Sequence, residues 1–160
     1  DLAGHVAFNR AGGVANATAA VTGPITLTGP IGPVAPLSAE EQKRAEAGRQ
    51  VYATICIACH QADGRGADKV APSLVQSALA IGPAVSPVRV LLHGKQGTVG
   101  LMPPLGSSLS DEQIASVLTY VRREWGHTAS AVSPEQVREQ RQATAARTTP
   151  WTNDELAVAE

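Results

Sequence analysis

Small and apolar residues recur at helical spacing early in the chain, with charged residues between them. The recurring positions are Ala45, Gly48, Tyr52, Ile55 and Cys59. Ser38 and Glu41 form a capping-box pattern, which predicts that a helix begins there and buries the recurring positions. Gly48 costs a helix about 1 kcal/mol relative to alanine, so we expect another helix to approach it closely.

A second apolar stripe is predicted on a later helix that crosses the first at Gly48, beside Tyr52. The stripe consists of Ile114, Val117, Leu118 and Val121. Ser110 and Gln113 provide its capping box, and the helix is expected to end near Trp125-Gly126.

Signals for shorter helices occur at three more places. They are Ser86 as N-cap with Pro87 as the first helical residue, ending at His93-Gly94, then Ser133 with Gln136, and finally Thr152 with Glu155. The last two predict a helical C-terminal extension over residues 127–160. Its helices are polar, so we expect them to lean on the main domain or on a partner, with Trp151 as an anchor.

Residues 1–37 are predicted to form an extended arm that is rich in glycine, proline and threonine. Four prolines exclude helix from its second half, and Ile25-Thr26-Leu27-Thr28 alternates like a short strand. Such an arm is either a tether from a preceding domain or a strap over the folded part, and its composition favours the tether. Since the chain begins at Asp1, we expect a mature product or an excised fragment.

Composition and charge exclude several classes of function. A net charge of −1 gives no basic surface for nucleic acid, and no apolar run reaches the roughly eighteen residues of a membrane span. The chain has one Phe, two Tyr and two Trp. A core with so few aromatic rings needs another large apolar group to bury.

Cys56-Ile57-Ala58-Cys59-His60 matches the attachment pattern of c-type haem. Two thiols three positions apart can be presented by one helical turn to the two vinyl groups of the porphyrin, and the adjacent imidazole can then reach the iron. A thioredoxin-like redox dithiol would require a βαβ setting, which is not evident. Half of a zinc site is the other alternative, but no second cysteine or histidine pair accompanies it.

Met102 is the only methionine in the chain and is predicted to lie in a loop stiffened by Pro103 and Pro104. Downstream of the cysteine motif, such a methionine favours a role as sixth iron ligand over core packing. His93 is a second candidate, although a histidine at a helix end more often faces solvent or bonds a carbonyl group. Pro72 either offers its carbonyl oxygen to His60 or is an ordinary loop proline.

These motifs together resemble the class I cytochromes c over residues 38–126. The residues that carry the resemblance are Cys56-x-x-Cys59-His60, Ala71-Pro72-x-Leu74 and Met102-Pro103-Pro104. The resemblance implies an all-α fold around one covalent haem c, with His60 and Met102 as axial ligands to the iron and Pro72 bonding His60. Leu74 and Pro103 are expected to contact the haem. Residues 137–156 are similar, more weakly, to extensions of bacterial cytochromes that are fused to or paired with quinoprotein-type dehydrogenases.

The expected function is one-electron transfer without catalysis. We expect a dehydrogenase as electron donor, an oxidase or another cytochrome as respiratory acceptor, and a periplasmic or otherwise extracytoplasmic location. Basic and acidic residues nearly balance over residues 38–126, which disfavours strong electrostatic steering. The alternatives are a haem enzyme or sensor with an open sixth position, and a zinc-stapled interaction domain.

Overall fold

The computed structural model describes residues 35–157, which are helical with little strand. The helices are α1 (Ala39–Val51), α2 (Ile57–His60), α3 (Ala78–Ile81), α4 (Val85–His93), α5 (Asp111–Val121), α6 (Pro134–Ala143) and α7 (Asn153–Ala157), and the strands are β1 (Lys95–Gln96) and β2 (Leu101–Met102). The predicted arm lies almost wholly outside these residues, as does its short strand. None of the helices in residues 35–157 has the length and apolarity needed to cross a bilayer.

The crossing of α1 and α5 is the main helix contact of the fold, as the sequence predicted. Gly48 is buried there, and a Cβ atom added to it would overlap the Ser116 carbonyl oxygen and lie 2.8 Å from Val117 N. One turn later, the Tyr52 ring packs between Tyr120 and Trp125, with centroid separations of 5.4 Å and 5.5 Å. The backbones therefore meet at the glycine.

A π-helical turn, Tyr52–Cys56, connects α1 to α2 and changes which residues face inward. A π turn adds one residue to the helical repeat, so the buried face moves on by one position. The predicted inward position of Ile55 is therefore wrong, because Ile55 is 37% exposed, whereas His60 is buried. Cys59 lines the cavity that is described below.

The predicted capping boxes at Ser38, Ser110 and Ser133 are all confirmed. The predicted start of α4 is wrong by two residues, because the helix begins at Val85 and Ser86 lies buried within its first turn. Pro87 is tolerated as the third helical residue, since the N–H groups of a first turn have no partner inside the helix.

Helix α5 ends at Val121, earlier than predicted, and a turn continues to Gly126. Arg122 begins this turn with its side chain buried, and it donates hydrogen bonds of 2.8 Å to the carbonyl oxygens of Ala80, Gly82 and Ser130. These bonds satisfy a charged group away from solvent. They also hold α3, which the sequence analysis did not predict, against the end of α5.

The helices after Gly126 pack on the rest of the described chain, which is one of the two alternatives that the sequence left open. Val132 and Val137 are fully buried in the core that contains the α1–α5 crossing. Farther along, Trp151 and Leu156 form a second buried cluster with Val90 of α4. The polar helices α6 and α7 thus each contribute apolar residues to a core built largely by other elements.

Candidate cofactor site

A largely apolar cavity of about 390 Å³ lies among α2, α4, α5 and the loops between them. It brings together every site residue predicted from the sequence. These are Cys56, Cys59, His60, Pro72, Leu74, Met102 and Pro103. His93 is not among the lining residues, because its Nε2 lies 2.7 Å from the Thr144 hydroxyl, where α4 meets α6.

His60 is held in an orientation that suits a metal ligand. His60 is 8% exposed, and its Nδ1 lies 3.1 Å from the carbonyl oxygen of Pro72. A carbonyl oxygen only accepts, so Nδ1 carries the proton and the lone pair is on Nε2. Burial lowers the pKa of His60 below its ordinary value, and the bond to Pro72 opposes this shift. The imidazole is therefore neutral at pH 7 and able to bind a metal.

A tight loop over residues 61–74 places the Pro72 carbonyl group. Gly64 and Gly66 both have positive φ, and a Cβ atom on Gly64 would lie 2.6 Å from the Trp125 ring. A Cβ atom on Gly66 would overlap the Ala71 carbonyl oxygen. Leu74 N–H closes the loop by donating to Gly64 O at 2.8 Å. Close contacts therefore require glycine at both positions.

The side chains of both cysteines line the cavity. Burial, followed by the proximity of Cys59, raises the pKa of Cys56 to about 11. A redox dithiol has the opposite property, a lowered pKa that keeps the attacking thiol ionised. Within residues 35–157, no group of three or more His, Cys, Asp or Glu side chains is placed to hold a metal ion, so the zinc alternative lacks a ligand set there.

Met102 does not lie in a simple proline loop, because it is the last residue of β2 and pairs with Lys95 of β1. Pro103 follows it into the predicted loop. Gly94 precedes β1 with φ of 77°, and a Cβ atom there would lie 2.6 Å from Met102 O. The hairpin therefore brings the methionine back beside the end of α4.

Sequence reasoning missed several residues that line the cavity. The connection between β1 and β2 contributes Thr98 and Val99, and the C-terminal extension contributes Asn153. Leu101 is 55% exposed at the same cavity. The two-residue strands are too short for a periodic signal, so only the apolar character of Val99 and Leu101 hinted at such a role.

The residues present fit a covalently bound haem. The cavity offers apolar surface to a porphyrin, two thiols for its vinyl groups, and a neutral imidazole and a thioether for its iron. A chain with two cysteines in total can form one such attachment.

Comparisons with known proteins agree with this chemistry. The model of the family described as cytochrome c oxidase, cbb3-type, subunit III matches residues 43–121. Cytochrome c-554(548) of Halomonas halodenitrificans is 38% identical over 66 residues, which are 41% of this chain and 78% of that protein.

Two further relatives are subunits of dehydrogenases. The fructose dehydrogenase cytochrome subunit of Gluconobacter japonicus is 33% identical over 107 residues, and the gluconate 2-dehydrogenase cytochrome c subunit of Pantoea cypripedii is 32% identical over 95 residues. These alignments cover 59% and 54% of this chain, but 22% of each relative.

The family match includes both the cysteine motif and Met102, which line the cavity. The chain belongs to the cytochrome c family, and its cofactor is covalent haem c.

Proposed function

We propose that this protein transfers single electrons with a haem attached through Cys56 and Cys59, and with His60 and Met102 as axial ligands to the iron. The observation that carries the proposal is the cavity, because all four side chains line it and the bond to Pro72 leaves His60 Nε2 free. When bound, haem supplies an iron that alternates between the ferric and ferrous states.

The residues of the chain favour electron transfer over substrate chemistry. Two ligands that stay bound in both oxidation states keep reorganisation small, and an apolar lining excludes water. A methionine ligand raises the reduction potential, which suits an acceptor of electrons from a dehydrogenase. We propose that electron transfer is carried out by a class I cytochrome c domain over residues 38–126. This domain would be flanked by the arm (residues 1–37) and the extension (residues 127–160).

The donor that we propose is a dehydrogenase held in the same complex or nearby, outside the cytoplasm, with an oxidase or another cytochrome as acceptor. The relatives that are named as dehydrogenase cytochrome subunits support this donor. Exposed apolar residues at the cavity, Val70, Val99 and Leu101, offer a docking patch that requires no strong charge complementarity.

An absorption spectrum and a reduction assay test the function. We expect six-coordinate, low-spin haem in both oxidation states, and reduction by a quinoprotein-type dehydrogenase at a rate that depends little on ionic strength. A five-coordinate spectrum would instead favour the haem enzyme or sensor. A steep dependence of the rate on salt would contradict apolar docking.

A further inference from the structure

A single backbone bridge joins residue 151 to the hairpin that carries Met102. Trp151 N–H donates to Gly94 O at 3.0 Å, and Trp151 O accepts from Gln96 N–H at 2.8 Å. Residue 151 thus pairs in parallel with Lys95, which also pairs with Met102 in the antiparallel sense. We name residues 147–157 the C-terminal clasp.

Side-chain packing joins the clasp to Met102 a second time. Trp151 is 9% exposed and forms a buried cluster with Val90 and Leu156, and Met102 packs against this cluster. Trp151 Nε1 has no hydrogen-bond partner among residues 35–157, so packing holds the indole ring.

Arg147 contacts several other residues of the clasp. Its guanidinium lies 3.5 Å from the centroid of the Trp151 ring, in the geometry of a cation–π contact. The same group donates to the Pro150 carbonyl oxygen at 2.9 Å and to the Glu155 carboxylate at 2.8–2.9 Å. Glu155 also caps α7 together with Thr152. One arginine therefore connects the indole ring, the backbone and the last helix of the clasp.

We propose that the C-terminal clasp positions Met102 as the sixth ligand and limits how often its sulfur leaves the iron. This inference rests on the proposed ligation by His60 and Met102. The physical reason is that a ligand competing with Met102 binds only the state in which the methionine is displaced, so its apparent affinity follows the population of that state. A segment that packs on the methionine and pairs with its hairpin lowers that population.

Imidazole binding to the ferric holoprotein measures this population directly. We expect Trp151→Ala to lower the dissociation constant of imidazole about tenfold, and Arg147→Gln about threefold. Trp151→Phe should stay within about twofold of the unmodified protein, because an aromatic ring remains and no hydrogen bond is lost. The sulfur-to-iron band in the near infrared should weaken in the same order.

Two control variants distinguish an effect on the position of Met102 from a general destabilisation of the fold. Arg138→Gln removes an arginine from the exposed side of α6, and Val137→Ala opens the main core, against which Met102 also packs, while it leaves the clasp cluster intact. Both should bind imidazole within about twofold of the unmodified protein. If Val137→Ala gains as much affinity as Trp151→Ala, or if neither Trp151→Ala nor Arg147→Gln gains any, the clasp does not position Met102. If Trp151→Ala does not fold, the imidazole dissociation constants of Arg147→Gln and Arg138→Gln are compared instead. Equal constants would then contradict a role for the clasp.

Failure of this inference differs from failure of the ligation that it assumes. If the band persists in Met102→Ala, Met102 is not the ligand and the proposed function is wrong at that point. If the band requires Met102 while the clasp variants bind imidazole as the unmodified protein does, the clasp alone is overturned.

Discussion

The segment that carries His60 and the segment that carries Met102 are held by different parts of the chain. His60 is fixed from nearby positions, by Pro72 at its ring and by Tyr52, which donates to Gln61 O at 2.7 Å. Met102 ends a two-residue strand and packs against both the main core and the clasp cluster, and the clasp also pairs with Lys95 of the neighbouring strand. His60 is thus held by nearby positions, whereas Met102, the proposed sixth ligand, is also held by a segment that is distant in sequence. In such an arrangement, changes near the C-terminus can alter ligation and leave attachment intact.

The largest expected effect is a loss of stability at the crossing of α1 and α5, in the part of the chain that leads into His60. Gly48→Val forces a side chain into the Ser116 backbone and should lower the free energy of unfolding by about 3 kcal/mol or more. Ala47→Val is the matched control, because it adds the same branched side chain at an exposed position of α1 and should cost less than about 1 kcal/mol. Denaturant unfolding of the holoprotein, followed by far-UV circular dichroism, measures both. Equal losses would contradict the close crossing.

Leu156→Ala is the corresponding change on the Met102 side. It empties part of the clasp cluster, and we expect a loss of about 2 kcal/mol in the free energy of opening this region. Hydrogen exchange should accelerate in the clasp and in the Met102 hairpin together, and remain unchanged in α1. Asp154→Ala, at an exposed position of the same helix, is the control. Acceleration in the clasp alone would mean that the hairpin does not depend on it.

Tyr52→Phe tests the support of the His60 segment alone, and its expected effect on the free energy of unfolding is smaller. It removes the bond from the Tyr52 hydroxyl to Gln61 O and should cost about 1 kcal/mol of unfolding free energy. Tyr120→Phe should be nearly neutral, since the Tyr120 hydroxyl makes no hydrogen bond within residues 35–157. Imidazole affinity should not change in either variant. A weakened Met102 ligand in Tyr52→Phe would show that the two sides are coupled.

The smallest expected effect is a dependence of stability on pH, from His93 between α4 and α6. Burial, followed by the charges of Arg147 and Arg141, lowers the pKa of His93 in the folded protein. Below about pH 6.5 the unfolded chain therefore binds more protons than the folded protein does. The free energy of unfolding falls as the pH decreases from about 6.5 towards the pKa of His93 in the folded protein. His93→Gln should reduce this loss. Urea unfolding of the holoprotein at pH 7.5 and pH 5.5 measures it, and an identical loss in both proteins would contradict the assignment.

The sequence predicted well those parts of the molecule that local chemistry decides. Capping boxes mark helix starts within four residues, and Gly48 marked the crossing because glycine inside a good helix requires a reason. The cysteine motif and Met102 identified the candidate ligands, and the structure brings them to one cavity.

The parts that the sequence did not predict arise from tertiary contacts. The π turn at Tyr52–Cys56 has no compositional signal, so the predicted buried face placed Ile55 inward. The pairing of Lys95 with both Met102 and Trp151 joins separate segments through backbone atoms, which side-chain patterns do not record. Trp151 was predicted as an anchor, but its place beside Met102 became visible only in the fold.

The near-infrared spectrum of the ferric protein, recorded with and without Met102→Ala, tests the central claim most directly. The unmodified protein should show the weak sulfur-to-iron band, and Met102→Ala should abolish it while the haem stays attached through acid-acetone extraction. Haem that is extracted by the solvent, or a band that persists without Met102, would contradict the account of this site.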